Sequence, residues 1–288
     1  MGFLSAAPFR PERVARSSPQ WLGLGLAIVM AGMPVRMLAA SPSPAAAAGS
    51  TVLVAVADEW CPYTCAEDAP QEGYLVDLLR AVFEPLGYRV DYRVMPWPRA
   101  LRETQLGRAN VAMGATPANA RDLVLPKLPA GRDESTFVVR ADSTWRYAGI
   151  PDLAGITLGV TADYTYFPEI DDWIERNRQQ PDLIDIATGD APLTTNLRKL
   201  ESGRIDAFIE NRNVLLHAAA RHPTRLGIRM EGRIPGDDIV VGFSPFSARD
   251  AALAGVFDER VRQLRESGEL AAILGRYGLE DWVKGSPP

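Results

Sequence analysis

The spacing of apolar and polar positions along the chain changes between the period of a strand and the period of a helix. Residues 51–57 form a Val-rich apolar run that ends in polar residues, which is typical of a buried strand. Residues 74–86 space their apolar side chains at helical intervals, and Gly87 follows as a helix stop. Repetition of this order predicts an α/β protein with largely parallel sheets and right-handed crossovers.

The same periods and turn residues predict the other elements. The predicted strands are 88–95, 110–114, 136–140, 156–160, 184–187, 205–209 and 237–243. The predicted helices are 98–105, 169–178, 193–200, 212–220, 248–267 and 270–277, with a short turn or helix at 119–123. We expect the last two helices to cover the outer face of the first sheet.

Two segments of the chain repeat one another at a distance of about a hundred residues. Residues 54–58, an apolar run that ends in Ala-Asp before an aromatic turn, are matched by residues 158–163. Residues 106–114 are matched by residues 203–210. Two copies of strand, turn, helix and strand predict two similar lobes with a cleft between them that can enclose a small molecule.

The boundaries of the two lobes follow from the order of these elements. We assign residues 51–141 and 238–288 to the first lobe and residues 142–237 to the second. The strands 136–140 and 237–243 would then connect the lobes, and a few residues in each could act as a hinge.

Residues 1–50 have the pattern of an export signal followed by a flexible lead. Arg residues precede an apolar stretch at 21–31, which is too short to span a bilayer and is followed by small residues. Cleavage is predicted after Ala40 or near Ala48, which would release the protein into the periplasm. An uncleaved anchor is the alternative.

Charge and cysteine content narrow the possible functions. The net charge of −5, without a basic stripe, argues against nucleic-acid binding. In an oxidising compartment Cys61 and Cys65 are expected to form a small structural loop, whereas a metal or redox pair is the alternative in the cytosol. Both histidines lie far along the chain from this pair, so we predict no metal and no cofactor.

The order of motifs between residues 51 and 282 resembles the bacterial family 3 extracellular solute-binding proteins. The motifs are Pro62-Tyr63, Gly73-Tyr-Leu-Val-Asp-Leu78, Met95-Pro-Trp-Pro-Arg-Ala-Leu101, Gly114-Ala-Thr-Pro-Ala-Asn-Ala-Arg121, Gly159-Val-Thr-Ala-Asp-Tyr-Thr-Tyr166 and Gly203-Arg-Ile-Asp-Ala-Phe208. The resemblance implies a two-lobe periplasmic-binding-protein-like fold and the role of the periplasmic component in a polar amino-acid ABC importer. A small polar solute and a membrane permease are the implied partners, and a monomer is expected for a freely diffusing carrier.

The resemblance assigns a carboxylate clamp to the end of the third strand. In such proteins a Gly-x-Thr followed by Arg holds the ligand carboxylate, which places Gly114, Thr116 and Arg121 in that role. A guanidinium matches a carboxylate with two parallel hydrogen bonds. The alternative for Arg121 is a surface helix residue beside Asp122.

The second lobe is expected to complete the pocket. Thr165 matches the family threonine that closes the carboxylate cage at a helix start, and Tyr164 and Tyr166 add contacts, with packing as the alternative for Tyr166. Amino-acid-binding members use an Asp for the ligand ammonium, but here that position is Asn211, preceded by Glu210. Neighbouring strand residues point to opposite faces, so Glu210 is expected to turn away if Asn211 faces the cleft, although only Glu210 could supply the charge.

Aromatic residues complete the predicted pocket. Trp60 and Tyr63 follow the first strand, where family members stack a ring on the ligand, and the loop from Cys61 to Cys65 would stiffen that position. Trp97, between two prolines, is either a cleft wall or a core residue of the first lobe.

The sequence therefore predicts a periplasmic receptor, not an enzyme, that captures a small polar, carboxylate-bearing solute of amino-acid type. One alternative is a dehydratase-like enzyme on the same fold, with Glu59 or Glu210 as a general acid. Another is a periplasmic ligand sensor that uses the same closure to signal.

Overall fold

A computed structural model describes residues 51–221 and 227–283 of this chain. The predicted export segment lies outside these residues. The strands are β1 (Thr51–Ala57), β2 (Tyr88–Val94), β3 (Val111–Ala115), β4 (Gly131–Arg140), β5 (Leu158–Thr161), β6 (Ile184–Ala187), β7 (Ala207–Asn211) and β8 (Ile228–Phe243). The helices are α1 (Tyr74–Phe83), α2 (Trp97–Gln105), α3 (Pro168–Asn177), α4 (Pro192–Glu201), α5 (Arg212–Arg221), α6 (Ala248–Ser267) and α7 (Glu269–Gly275). In the described part of the chain, no helix combines the length and apolar character that a membrane span requires.

The strands form one mixed sheet in the order β2-β1-β3-β8-β4-β7-β5-β6. Strands β1, β2 and β3 pair in parallel at one end, and β5, β6 and β7 pair in parallel at the other. The long strands β4 and β8 run antiparallel to each other between these two groups. This arrangement confirms the predicted fold class, in which two mostly parallel α/β lobes are connected by two strands.

Each lobe has its own apolar core. In the first lobe, α1, α6 and α7 pack on one face of the sheet, where Leu79, Phe83, Phe257 and Leu270 are fully buried. The core of the second lobe includes Phe137 of β4, although the predicted boundary at residue 141 would assign Phe137 to the first lobe. The covering role predicted for the last two helices agrees with this packing, because burial of their apolar faces offsets the entropy of ordering them.

Two strands extend further than the sequence pattern predicts. The prediction for β4 began at residue 136, but the strand begins at Gly131; the prediction for β8 began at residue 237, but the strand begins at Ile228. The missed parts contain charged residues in β4 and glycine in β8, which weaken a strand pattern. Each missed part pairs largely with the predicted part of the other strand, and the register shifts between Arg132 and Glu134 and between Ser135 and Phe137.

Candidate functional site

A small cavity, with about 30 Å³ of free space, lies where segments from both ends of the sheet meet. Its walls combine aromatic, hydroxyl, amide and carboxyl side chains. The lining residues are Trp60, Trp97, Gly114, Thr116, Asn119, Asp133, Ser135, Tyr164, Thr165, Tyr166, Glu210 and Asn211. Pockets of this kind, with apolar walls and a few convergent polar groups, are the usual form of a small-molecule site.

An aromatic wall is built on the loop after β1. The Trp60 ring stacks on Tyr63 with a centroid separation of 4.2 Å, so Tyr63 lies behind Trp60 and does not line the cavity. Cys61 and Cys65 form a disulfide, which confirms the predicted loop and leaves no thiolate of this pair to bind a metal. The loop is therefore fixed by a covalent bond beside the ring it presents.

Gly114 lies against the Trp60 ring in a left-handed backbone conformation. A Cβ at this position would lie 3.5 Å from Trp60 Cε3, and the backbone φ of 86° favours glycine. The register of β3 against β8 shifts at this point, between Met113 and Ala115. Gly114 therefore shapes the floor under the ring and offers no side chain to a ligand.

Glu210 places a buried carboxyl group in the cavity wall. Its Oε1 accepts hydrogen bonds from Trp60 Nε1 at 2.9 Å and from the Asn211 backbone N at 2.8 Å. Burial raises the pKa of Glu210 to about 8, although the Trp60 hydrogen bond acts in the opposite direction. This carboxyl group changes its charge near neutral pH.

Asp58, at the end of β1, is a second buried carboxyl group, and it contacts the cavity-lining Tyr164. Tyr164 Oη donates a hydrogen bond to Asp58 Oδ2 at 2.6 Å. Burial raises the pKa of Asp58 to about 7, and the Tyr164 hydrogen bond lowers it in part. The sequence analysis saw this Asp as the end of a repeated motif and did not assign it to the site.

Asp133 is the third acidic group and lies at the irregular part of β4. It accepts a hydrogen bond from Asn211 Nδ2 at 2.6 Å and others from Ser135 Oγ at 3.2 Å. Burial raises the pKa of Asp133. Register shifts of this kind re-aim side chains near binding sites, which explains why the regular alternation of a strand does not predict this residue.

Asn211 has a structural role that the sequence analysis did not recognise. Its Oδ1 accepts hydrogen bonds from the backbone N of Asn213 at 2.8 Å and of Val214 at 3.2 Å, so it caps the N-terminus of α5. Tyr63 Oη also donates to Oδ1, at 3.2 Å. The available sequence signal for this cap was an asparagine directly before a predicted helix. The capping hydrogen bonds occupy the side-chain oxygen of Asn211.

Glu210 and Asn211 both line the cavity, so the expectation that only one of them could face the cleft is wrong. Strand β7 ends at Asn211 and α5 begins at Arg212, so strict alternation no longer applies. The Glu210 side chain also folds back to its neighbour's backbone N.

Thr116 and Thr165 meet across the cavity as the sequence predicts for residues of one site. Their Oγ1 atoms are 2.6 Å apart and share a hydrogen bond. Arg121 is exposed, its Nε donates to the Ala118 carbonyl O at 2.8 Å, and it is not one of the lining residues. A carboxylate-binding role for Arg121 therefore stays a prediction without support from this geometry.

The cavity brings together most of the residues predicted for the site and adds several others. The predicted residues that line it are Trp60, Trp97, Gly114, Thr116, Tyr164, Thr165, Glu210 and Asn211, together with Tyr166. The lining residues that the sequence analysis missed are Asn119, Asp133 and Ser135. Trp97 both lines the cavity and packs in an apolar cluster with Val56 and Leu101, so its two proposed roles coexist.

A family model for bacterial extracellular solute-binding proteins, family 3, matches residues 52–280. The chain belongs to this family. A relative in Bacillus subtilis (strain 168), the probable amino-acid-binding protein YxeM, is 25% identical over 231 residues, which cover 76% of this chain and 81% of that protein. The family match confirms the resemblance seen in the motif order.

Solved structures share the fold at low sequence identity. The arginine-, lysine-, histidine-binding protein ArtJ from Geobacillus stearothermophilus aligns with a TM-score of 0.67 and 19% identity, over 81% of this chain and 98% of that chain. An ancestral arginine-binding protein bound to arginine aligns with a TM-score of 0.66 and 17% identity, over 80% and 99%. A histidine kinase sensor domain aligns with a TM-score of 0.63 and 21% identity, over 80% and 98%.

Proposed function

We propose that this member of the family is the exported, periplasmic solute-binding component of an ABC importer. It encloses a small polar solute of amino-acid size between its two lobes and presents the closed form to a membrane permease. The observation that carries the proposal is the set of side-chain hydrogen bonds across the cavity. Trp60 pairs with Glu210, Tyr164 with Asp58, and Thr116 with Thr165.

These contacts explain how a solute would control the conformation. Each one joins a segment of the first predicted lobe to a segment of the second, so all of them exist only when the lobes are close together. A solute that contacts both walls adds differential binding energy to this closed form and shifts the population toward it. The permease then needs to recognise only one shape.

The carboxylate clamp at Thr116, Thr165 and Arg121 enters this proposal as the expectation taken from the family. For it to act, the Thr116 and Thr165 hydroxyl groups would exchange their mutual hydrogen bond for bonds to a carboxylate, and the Arg121 guanidinium would have to turn toward the cavity. Loss of carboxylate binding in Arg121→Ala would support this clamp.

The experiment is a thermal-shift screen of amino acids, organic acids, amines and neutral polar solutes, followed by calorimetry on each solute that stabilises the protein. Thr165→Trp, which fills the cavity wall, should weaken binding by at least about tenfold. Thr194→Trp, at an exposed position of α4, is the matched control and should leave binding unchanged. Equal affinity in both variants, or no stabilising solute at all, would contradict the proposal.

Two further measurements address the alternatives. Recovery of the bound solute unchanged, by mass spectrometry after prolonged incubation, separates a binding protein from the dehydratase-like enzyme. Loss of uptake of the labelled solute in cells that lack the protein separates an importer from a sensor.

A further inference from the structure

We propose that the cavity selects a small organic cation that carries an uncharged hydrogen-bond acceptor and no carboxylate group. An amino alcohol or a hydroxylated quaternary ammonium compound is the chemical class. The inference rests on the proposed function only in that the cavity is taken as the solute site, and it replaces the carboxylate clamp, because such a solute has no group for the clamp to hold.

The ionisable groups that could carry charge beside the cavity are all carboxyl groups. Glu210 and Asp133 line it, and Asp58 is hydrogen-bonded to the lining Tyr164. Among the lining residues there is no Lys or Arg, and Arg121 is exposed outside it. A buried charge needs a partner of opposite sign, so the wall offers compensation to a cation and none to an anion.

The carboxyl groups retain capacity for a donor. Both hydrogen bonds to Glu210 end on Oε1, and within the described residues Oε2 receives none. Tyr164 bonds to Asp58 through Oδ2. An ammonium group brings N–H donors or a diffuse positive charge to such oxygens, and a charge-assisted bond is about twice as strong as a neutral one.

Aromatic faces provide the second element of a cation site. Trp60 and Tyr164 meet edge to face with centroids 6.5 Å apart, and both line the cavity together with Tyr166. The faces of Trp and Tyr rings attract alkylammonium groups, and the attraction strengthens when water is excluded. The Trp60–Tyr63 stack and the disulfide loop hold one of these faces in place.

Trp97 supplies an independent indication of a ligand. It is 2% exposed and lines the cavity, and its Nε1 has no hydrogen-bond partner among the described residues. A buried N–H without a partner costs on the order of 1–3 kcal/mol. An oxygen atom on the solute would remove this cost, which is why the proposed cation carries an acceptor.

A zwitterionic amino acid fits these walls less well. Its carboxylate would enter beside Glu210 and Asp133, where the neutral donors nearest to the family clamp are the hydroxyl groups of Thr116 and Thr165. Desolvation of that carboxylate and repulsion by the acidic groups would both oppose binding. The same solute without its carboxylate avoids both costs.

The first test compares matched pairs by calorimetry with wild-type protein. Ethanolamine is compared with L-serine, and choline with glycine betaine, because the members of each pair differ mainly by a carboxylate. We expect ethanolamine or choline to bind at least about tenfold tighter than its carboxylated partner. Tighter or equal binding of L-serine or glycine betaine, or stabilisation only by neutral solutes or organic acids, would overturn the inference but leave the proposed function intact.

The second test uses the charge of the wall. Choline keeps its charge at every pH, so a change in its affinity reports protonation of the protein. The titratable groups that face Glu210 are Asp58, Asp133, Tyr63, Tyr164 and Tyr166, none of which is basic. Choline affinity should therefore rise between about pH 6 and pH 8.5 as carboxyl groups ionise, with release of protons on binding. Affinity that stays constant or falls over this range would overturn the inference.

Glu210→Gln is the variant for both tests. It keeps the shape of the protonated side chain and its hydrogen-bonding oxygen, and circular dichroism would establish that it folds. We expect choline or ethanolamine affinity to fall by at least about tenfold and its pH dependence to weaken. Glu201→Gln, an exposed residue at the end of α4, should behave as the wild type. Unchanged affinity in Glu210→Gln would count against a cation site.

Discussion

Glu210 combines complete burial with a charge that changes near neutral pH, and this has a consequence for stability. The group binds its proton more tightly in the folded protein, where its pKa is about 8, than at its ordinary value of 4.5. Asp58 behaves in the same way, with a folded pKa of about 7 against 3.8. Between the ordinary and the folded pKa of each group, the folded state holds more protons than the unfolded state. The stabilising contribution of these two groups is therefore complete at acidic pH and is lost as pH rises through about 7 to 8.

We predict that Glu210→Gln reduces this loss in the ligand-free protein. The unfolding free energy of the wild type should carry a contribution from Glu210 that falls, by an order of a few kcal/mol, between about pH 5 and pH 8.5. Urea unfolding at a series of pH values gives the difference between variant and wild type, in which the effects of distant carboxyl groups cancel. Glu201→Gln is the control, and identical pH profiles for wild type and Glu210→Gln would refute the prediction.

Asn211 shows why a family position does not transfer its role with its place in the sequence. An Asp there could cap α5 equally well and keep a charged oxygen for a ligand ammonium, whereas the Asn caps α5 with Oδ1 and donates to Asp133 with Nδ2. The acidic side chains in this part of the cavity wall are instead those of Glu210 and Asp133. The sequence predicts weaker binding of a ligand ammonium group at this residue. In the structure, the cap already occupies the amide oxygen that would accept a hydrogen bond from that group.

At the scale of elements, β4 and β8 are in tight contact at Gly236. A Cβ at this position would overlap with the Asp133 carbonyl O and crowd the Asp133 Cβ. Because the obstacle includes backbone, the strands would have to separate at the bulge that carries Asp133. Gly236 is therefore required for the register that places Asp133 in the cavity wall.

We predict that Gly236→Ala destabilises the protein by about 1–3 kcal/mol, as overpacked sites do. Gly255→Ala is the matched control, since a Cβ there meets nothing within 4 Å and Ala is favoured in the middle of α6. Chemical denaturation of both variants measures the difference. A Gly236→Ala variant as stable as Gly255→Ala would show that β4 and β8 tolerate separation.

The elements with a regular period were predictable from sequence, and the irregular ones were not. The pattern located β1, β6 and α6 with the bounds that the structure has, because an apolar or alternating run marks each strand and the capping residues Ser247 and Gly268 flank α6. It missed the first halves of β4 and β8, where strand pairing and not side-chain pattern sets the conformation. Asp133 was missed for the same reason, since a residue at a register shift follows no period.

The candidate site was predictable where a motif carries the residue, as for Thr116, Thr165 and Trp60. Burial was not predictable, because it depends on which segments meet in space. Asp58 follows a visible strand, but its contact with Tyr164 joins segments 106 residues apart in sequence. The exposed position of Arg121 likewise depends on the course of the turn after β3.

At the scale of the whole molecule, β4 and β8 are the strands that link the two groups of parallel strands. Gly131 and Arg132 pair with Ile239 and Asp238, on the side of the first lobe, whereas β4 from Ser135 onward also pairs with β7. The two register shifts of the β4–β8 pair fall at this passage. Backbone that already lacks regular pairing bends at the least cost, so opening of the lobes should concentrate there.

We predict that a bound solute slows hydrogen exchange at residues 131–136 of β4, because closure holds this irregular passage in one conformation. Mass spectrometry of the protein with and without the solute identified by calorimetry measures the change, and the radius of gyration in solution should fall at the same time. Amides of α6, which pack in the core of the first lobe, provide the internal control and should exchange at the same rate in both states. Protection spread evenly over β4 and α6 would indicate general stabilisation by mass action, and it would contradict a hinge at the crossing strands.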